Sequence, residues 1–292
     1  MAPPRRIQGL SEVMGVVGAT SGREISSVFS ETVSQRAFFG VTAVLFGASA
    51  AVTIVWCASM SAMGEMPMPG GWTMSMAWMR MPGQPWSGSA VSFLGMWVVM
   101  MAAMMLPSLV PMLLRYRHAV GRTGETPLGW LTALVGVGYF SVWTLFGVAA
   151  FALGVALATI EMQVPTLARA VPIAAGLIVL IAGALQFTAW KAHHLACCRD
   201  VPRCGCALSA DARTAWRHGL RLGLHCSYCC AGMTAILLVI GVMDLRVMAV
   251  VTAAITVERL APAGERVARA IGVVIVGAGL FLIVTSVSGR PL

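Results

Sequence analysis

The chain has 292 residues, of which 58% are apolar and only 11% charged, with a formal net charge of +9. A soluble domain carries about 25% charged residues, so this composition excludes an ordinary water-borne fold. The positive balance is read by position, because Lys and Arg gather in the cytoplasmic segments of membrane proteins, and not as a nucleic-acid footprint. The class expected is all-α, a polytopic transmembrane helical bundle of about six to seven spans.

Residues 1–36 are polar and carry Arg5, Arg6, Arg23 and Arg36, and are expected to form a mobile cytoplasmic arm. No short apolar segment with a small-residue cleavage site stands before the first long run, so no cleaved signal peptide is expected. The rest, 37–292, is assigned to the transmembrane domain. Its apolar runs cover 37–59, 89–113, 128–157, 167–190, 219–243 and 267–288, near the ~20 residues that cross a hydrocarbon core. A seventh run, 245–260, barely reaches across and reads equally as re-entrant.

With the N-terminus inside and seven crossings, sixteen of the twenty Lys and Arg fall on the inner side. Only Arg80, Arg169, Arg246 and Arg290 fall outside. This asymmetry predicts a multi-pass protein of the bacterial plasma membrane with a cytoplasmic N-terminus.

The outer loop, 60–88, is expected to face solvent, where packing would gain little from its eight Met: Met60, Met63, Met66, Met68, Met74, Met76, Met79 and Met81, interleaved with Trp72, Trp78 and Trp86. The second run adds six more Met. Met96, Met100 and Met104 recur every four residues and share one helix face, with Met101 and Met105 in the adjoining row. Thioether sulfur suits Cu(I) and survives where thiolates would oxidise, so Met100 and Met104 are candidate ligands. Packing by flexible Met side chains is the competing reading of the same rows.

The inner loop, 191–218, and the start of the next run hold seven of the eight Cys and four of the five His. The candidate ligands there are His194, Cys197, Cys198, Cys204, Cys206, His225, Cys226, Cys229 and Cys230. Structural disulfides are disfavoured in the cytoplasm, so this density of thiols points to metal ligation or redox chemistry. Cys226 and Cys229 share a helical face at i, i+3; His225 and Cys229 are spaced i, i+4 on an adjoining one. Antiparallel helices ending at Cys197/Cys198 and opening at Cys226 would bring the two sets together. Cys57, alone in the first run, reads as a small buried hydrophobe.

Several motifs then carry a resemblance: MWVVMMAAMMLPSLVP at 96–111, GYFSVW at 138–143, QFTAWKAHHLACCR at 186–199, GLHCSYCC at 223–230, and GVMDLRVM followed by Glu258-Arg259. From about residue 89 to 262 the chain resembles a bacterial family of metal-binding integral membrane proteins catalogued as a domain of unknown function. The resemblance implies a helical membrane fold and a metal-ligand role for Cys198, Cys226, Cys229 and Cys230. His194 stands where that pattern has Cys, and Tyr228 where it has Gly.

Copper is the cofactor expected, with zinc the alternative for a Cys/His site. The function expected is binding, membrane passage or delivery of copper. The lipid bilayer is the expected surrounding, and other membrane subunits or a copper enzyme are the expected partners; no nucleic-acid partner is expected. Two alternatives stay open: a thiol–quinone oxidoreductase, suggested by Cys226-x-x-Cys229, and a non-catalytic subunit of a larger membrane complex. No catalytic residue is nominated, since Walker A, HExxH and Ser-His-Asp patterns are missing. Glu258 near Arg259, a charge within an apolar run, is a functional candidate by default, with a capping or interfacial ion pair the competing reading; Lys191 reads as a side chain reaching out to the headgroups.

Overall fold

The computed structural model describes residues 8–62, 64, 66–80, 83–121, 128–199 and 210–288, with side chains from residue 32 onward. Among the described residues there are eight α-helices. They are α1 (Gln8–Ala62), α2 (Trp86–Val120), α3 (Leu128–Gln163), α4 (Pro165–Leu185), α5 (Ala189–Arg199), α6 (Ala212–Ile240), α7 (Leu245–Leu260) and α8 (Gly264–Val287). A short hairpin, β1 (Met66–Met68) against β2 (Trp72–Met74), lies between α1 and α2. The chain falls into two compact units, residues 1–44 and 45–292. The first is the opening part of α1, so the expected arm over 1–36 is helical from Gln8. The second holds the hairpin, α2 to α8 and the site described below.

Among the described residues, six helices are long and apolar enough to cross a membrane: Thr32–Ala62 of α1, then α2, α3, α4, α6 and α8. These are the six long runs of the sequence. α7, at 16 residues, falls short of that length. Apolar character here is not core character. The most apolar window of α8 has a hydropathy of 2.5, yet 11% of it is buried. Val273, Val274, Phe281 and Val284 point outward, as do Val137, Leu145 and Leu153 of α3. An apolar girdle of this kind belongs in lipid.

Glycines weld the helices in pairs. A Cβ on Gly138, Gly219 or Gly223 would strike the facing backbone of α3 or α6. On α4 and α8, Gly176 meets Ile283, Gly183 meets Val276 and Gly272 meets Gln186, so these two run antiparallel. Small residues let backbones approach in lipid, where burial of apolar surface no longer drives association.

The chain reverses by local chemistry. Gly241 ends α6 at φ 153°, a conformation L side chains rarely adopt. The Asp244 carboxylate then accepts the Arg246 and Val247 amides at 2.7 and 3.2 Å and starts α7. Asp211 caps α6 in the same way through the Thr214 amide. α7 runs from the end of α6 back to Ser108 of α2, where Arg259 makes contact. α8 then returns along α4. The run 245–260 therefore leads from one end of the bundle toward the other, despite its length.

Two sequence expectations change. The run 167–190 breaks after Leu185, with a turn at Gln186–Thr188 before α5, so part of the inner loop is helical. The Met/Trp loop is folded down and not wholly solvent-facing. Met68 and Met74 pack with Ala158 and Ala168 into an apolar cluster covered by Met66, Trp72 and Trp78. Trp72 Nε1 donates to the Ala168 carbonyl at 2.9 Å and pins the hairpin to the α3–α4 corner. Met63 and Met81 lie outside the described residues.

Candidate metal centre

Four thiols meet in the interior where α5, α6 and α7 converge. Cys198, Cys226, Cys229 and Cys230 are all buried and unoxidised. The group is tied together through Arg259, whose guanidinium reaches the sulfurs of both Cys198 and Cys230. Tyr139 of α3 extends it, its hydroxyl 2.8 Å from Cys226 Sγ. Helical spacing explains how α6 supplies three of the four. Cys226, Cys229 and Cys230 fall at i, i+3 and i+4, one inward stripe.

A guanidinium stands among the sulfurs. Arg259, 4% exposed, donates from Nη2 to Cys230 Sγ at 3.3 Å and faces Cys198 Sγ at 3.9 Å. Its Nη1 donates to Ser108 Oγ at 3.1 Å. No carboxylate lies within ion-pair distance of Arg259 among the described residues. The neighbouring charges instead satisfy one another. Lys191 Nζ lies 2.7 Å from Glu258 Oε2 and donates to the Cys229 carbonyl at 2.7 Å. Both ends of this pair are buried.

These contacts revise the reading of the charged residues. Lys191 turns inward to Glu258 and does not reach out toward headgroups. Glu258 pairs with Lys191 and leaves Arg259 to the thiols. Sequence reasoning missed Arg259, Tyr139 and Ser108 as neighbours of the cluster. The available signal was the general cost of a charge within an apolar segment, which makes any such residue a site candidate.

The other sequence candidates divide. His194 and His225 meet each other, Nδ1 to Nδ1 at 3.1 Å, on the more open side of the α5–α6 contact. Burial first, then the neighbouring His225 and His193, holds the His194 imidazole below its ordinary value and favours the neutral ring. Cys197 lies on another face of α5, 3.8 Å from His193 Nε2. Cys204 and Cys206 lie outside the described residues. Met100 and Met104 are buried on α2. Their row continues at the same spacing to Ser108, so one stripe of α2 runs from Met96 to the residue that holds Arg259.

Among the described residues, no three His, Cys, Asp or Glu side chains are already disposed around a point that could hold a metal ion. The sulfurs share one buried region, with a guanidinium against two of them. That arrangement offers soft donors in a dry interior, and needs a shift of Arg259 or of the thiols to close on a cation.

Fold and site together define a helical, membrane-type protein with a buried thiol centre. Residues 94–282 match the family PpoB2, copper chaperone, and as this is well over half of the chain, the protein belongs to that copper chaperone family. No curated protein and no solved structure matches it.

Proposed function

We propose that this protein is embedded in a bacterial plasma membrane and carries Cu(I) as cargo on Cys198, Cys226, Cys229 and Cys230, for delivery to a copper enzyme or another membrane partner. The observation that carries this reading is the contiguous buried set of four thiols within the family-matched segment. Thiolates are soft donors suited to Cu(I).

Formal charge suits a monovalent ion on two of the four thiols. Lys191 and Glu258 cancel, which leaves Arg259 as the surplus positive charge beside the sulfurs. A monovalent ion on two thiolates carries one negative charge, which the guanidinium neutralises in a medium that penalises net charge. A divalent ion reaches the same balance only with a third thiolate. The positive-inside asymmetry supports a cytoplasmic side for the α5 end of the bundle, where thiols stay reduced. The Met stripe of α2 offers thioether sulfur leading toward Ser108 and Arg259, a route of rising ligand strength.

The test is elemental analysis of protein purified in mild detergent after expression with copper and zinc both present. Copper is expected in the parent protein and background copper in Cys226→Ser/Cys229→Ser, with both eluting as folded species. Zinc in place of copper, or equal copper in both proteins, would overturn the reading.

A further inference from the structure

The histidines do not stand in the thiol shell. α5 and α6 each present a His followed by a Cys four residues later, His194 and Cys198 on one helix and His225 and Cys229 on the other. The two helices meet so that like faces like. The imidazoles touch at 3.1 Å, and the Cys198 sulfur lies against the guanidinium that also reaches Cys230, the neighbour of Cys229. Burial differs sharply between the two levels: Cys198 and Cys229 are 0% and 3% exposed, while both imidazoles are part-exposed. The histidine pair thus lies between the surroundings and the buried sulfurs.

From this geometry we infer that His194 and His225 form a separate binding site for a soft monovalent cation, an exchange station one helical turn from the thiols. This inference rests on the proposed function and names a second site in it. Neither imidazole has another hydrogen-bond partner among the described residues, so each has a ring nitrogen to give. Imidazole is a good ligand for copper, and a two-coordinate ion needs only this pair. At ~2.0 Å per metal–nitrogen bond the nitrogens would stand ~4 Å apart, so the rings must part by about 1 Å. The rim permits it: Trp190 and Tyr228, the aromatic neighbours of His194, are 43% and 48% exposed and are not locked in the core. The step from His to Cys is i to i+4 on both helices, a rise of ~6 Å. An ion can therefore change ligands one at a time, imidazole for thiolate, without being released as a free ion between them.

The experiment counts and identifies ligands with Cu(I) supplied from a chelator. The four-serine protein, Cys198, Cys226, Cys229 and Cys230 all→Ser, is expected to retain one Cu(I) with nitrogen neighbours in X-ray absorption. Adding His194→Gln/His225→Gln to it should abolish that ion. In the otherwise native chain, His194→Gln/His225→Gln should bind one Cu(I) fewer than the parent, and loading of its sulfur site should slow by tenfold or more. If the four-serine protein does not fold, judged by helical circular dichroism and gel filtration, the stoichiometry of the otherwise native pair decides. Equal stoichiometry with a mixed nitrogen–sulfur shell in the parent would overturn the separate site while leaving the copper reading intact. A folded four-serine protein that binds no Cu(I) would also overturn it. Failure of the copper reading looks different: a parent protein with no sulfur-bound copper at all.

Discussion

The two sulfur-rich ends of this molecule are built on opposite plans. At the hairpin end, Met68 and Met74 sit against Ala158 and Ala168 under Trp72 and Trp78. Their surroundings are apolar, and packing alone explains their presence. At the other end, Cys198, Cys226, Cys229 and Cys230 share a dry interior with Arg259, Lys191 and Glu258. Packing does not explain those charges, because burying them costs several kcal/mol per ion unless they are matched. The sulfur count is thus a poor guide by itself. What distinguishes a site from filler is the unusual company that the sulfur keeps.

The contrast is sharpest where charge is removed. Lys191→Met should strand Glu258 and Glu258→Met should strand Lys191, each lowering stability by ~3–5 kcal/mol. The double change Lys191→Met/Glu258→Met should recover most of the loss. Thermal unfolding in detergent reads both outcomes; additive losses would mean that the pair is not coupled. Arg259→Met comes next. If the guanidinium balances a bound Cu(I) dithiolate, its loss should weaken Cu(I) affinity by ~10–100-fold, the scale on which supporting residues tune metal sites. Competition with a Cu(I) chelator measures it, and unchanged affinity would remove Arg259 from the centre.

The smallest effects separate the two methionine populations. Met100→Leu/Met104→Leu conserves volume and should cost less than ~1.5 kcal/mol per site in stability. It should nevertheless reduce copper delivery to a copper enzyme in the same membrane, since the thioethers on the Ser108 stripe are gone. Met68→Leu/Met74→Leu should be nearly silent in stability and in copper delivery. Identical delivery from both variants would reduce the α2 methionines to packing and erase the proposed route.

Much of the architecture is legible in the sequence because lipid imposes length and apolarity on each span. Runs such as 128–157 and 267–288 cannot belong elsewhere, and α3 and α8 lie there. The break in 167–190 is less visible, since Gln186-Phe187-Thr188 contains neither Gly nor Pro. The hairpin had left a trace in Gly70 and Gly71, whose φ values of 110° and 77° turn the chain between strands. At the site, helical spacing leads directly to the Cys226, Cys229 and Cys230 stripe. It does not reveal that α7 would carry Arg259 to them, because residues 29 to 61 positions apart meet only through tertiary packing. Nor does it separate Cys197 from Cys198, adjacent in sequence but on different faces of an 11-residue helix.

The shortness of α7 has a mechanical side. Sixteen residues span ~24 Å, about 6 Å less than an ordinary hydrocarbon core. Val250 and Val257 on its outer side are 68% and 50% exposed, and in the proposed membrane setting they would meet lipid. Tails beside the helix would then have to compress, or headgroups and water sink in, each at a fraction of a kcal/mol per ångström of mismatch. Such a dimple would fall at one flank of the bundle, with its floor, at the Arg259 end of α7, at the level of the thiols. A protein notched in this way would prefer thin membrane. Bilayer thickness would then set how much oil separates the cargo from the aqueous phase.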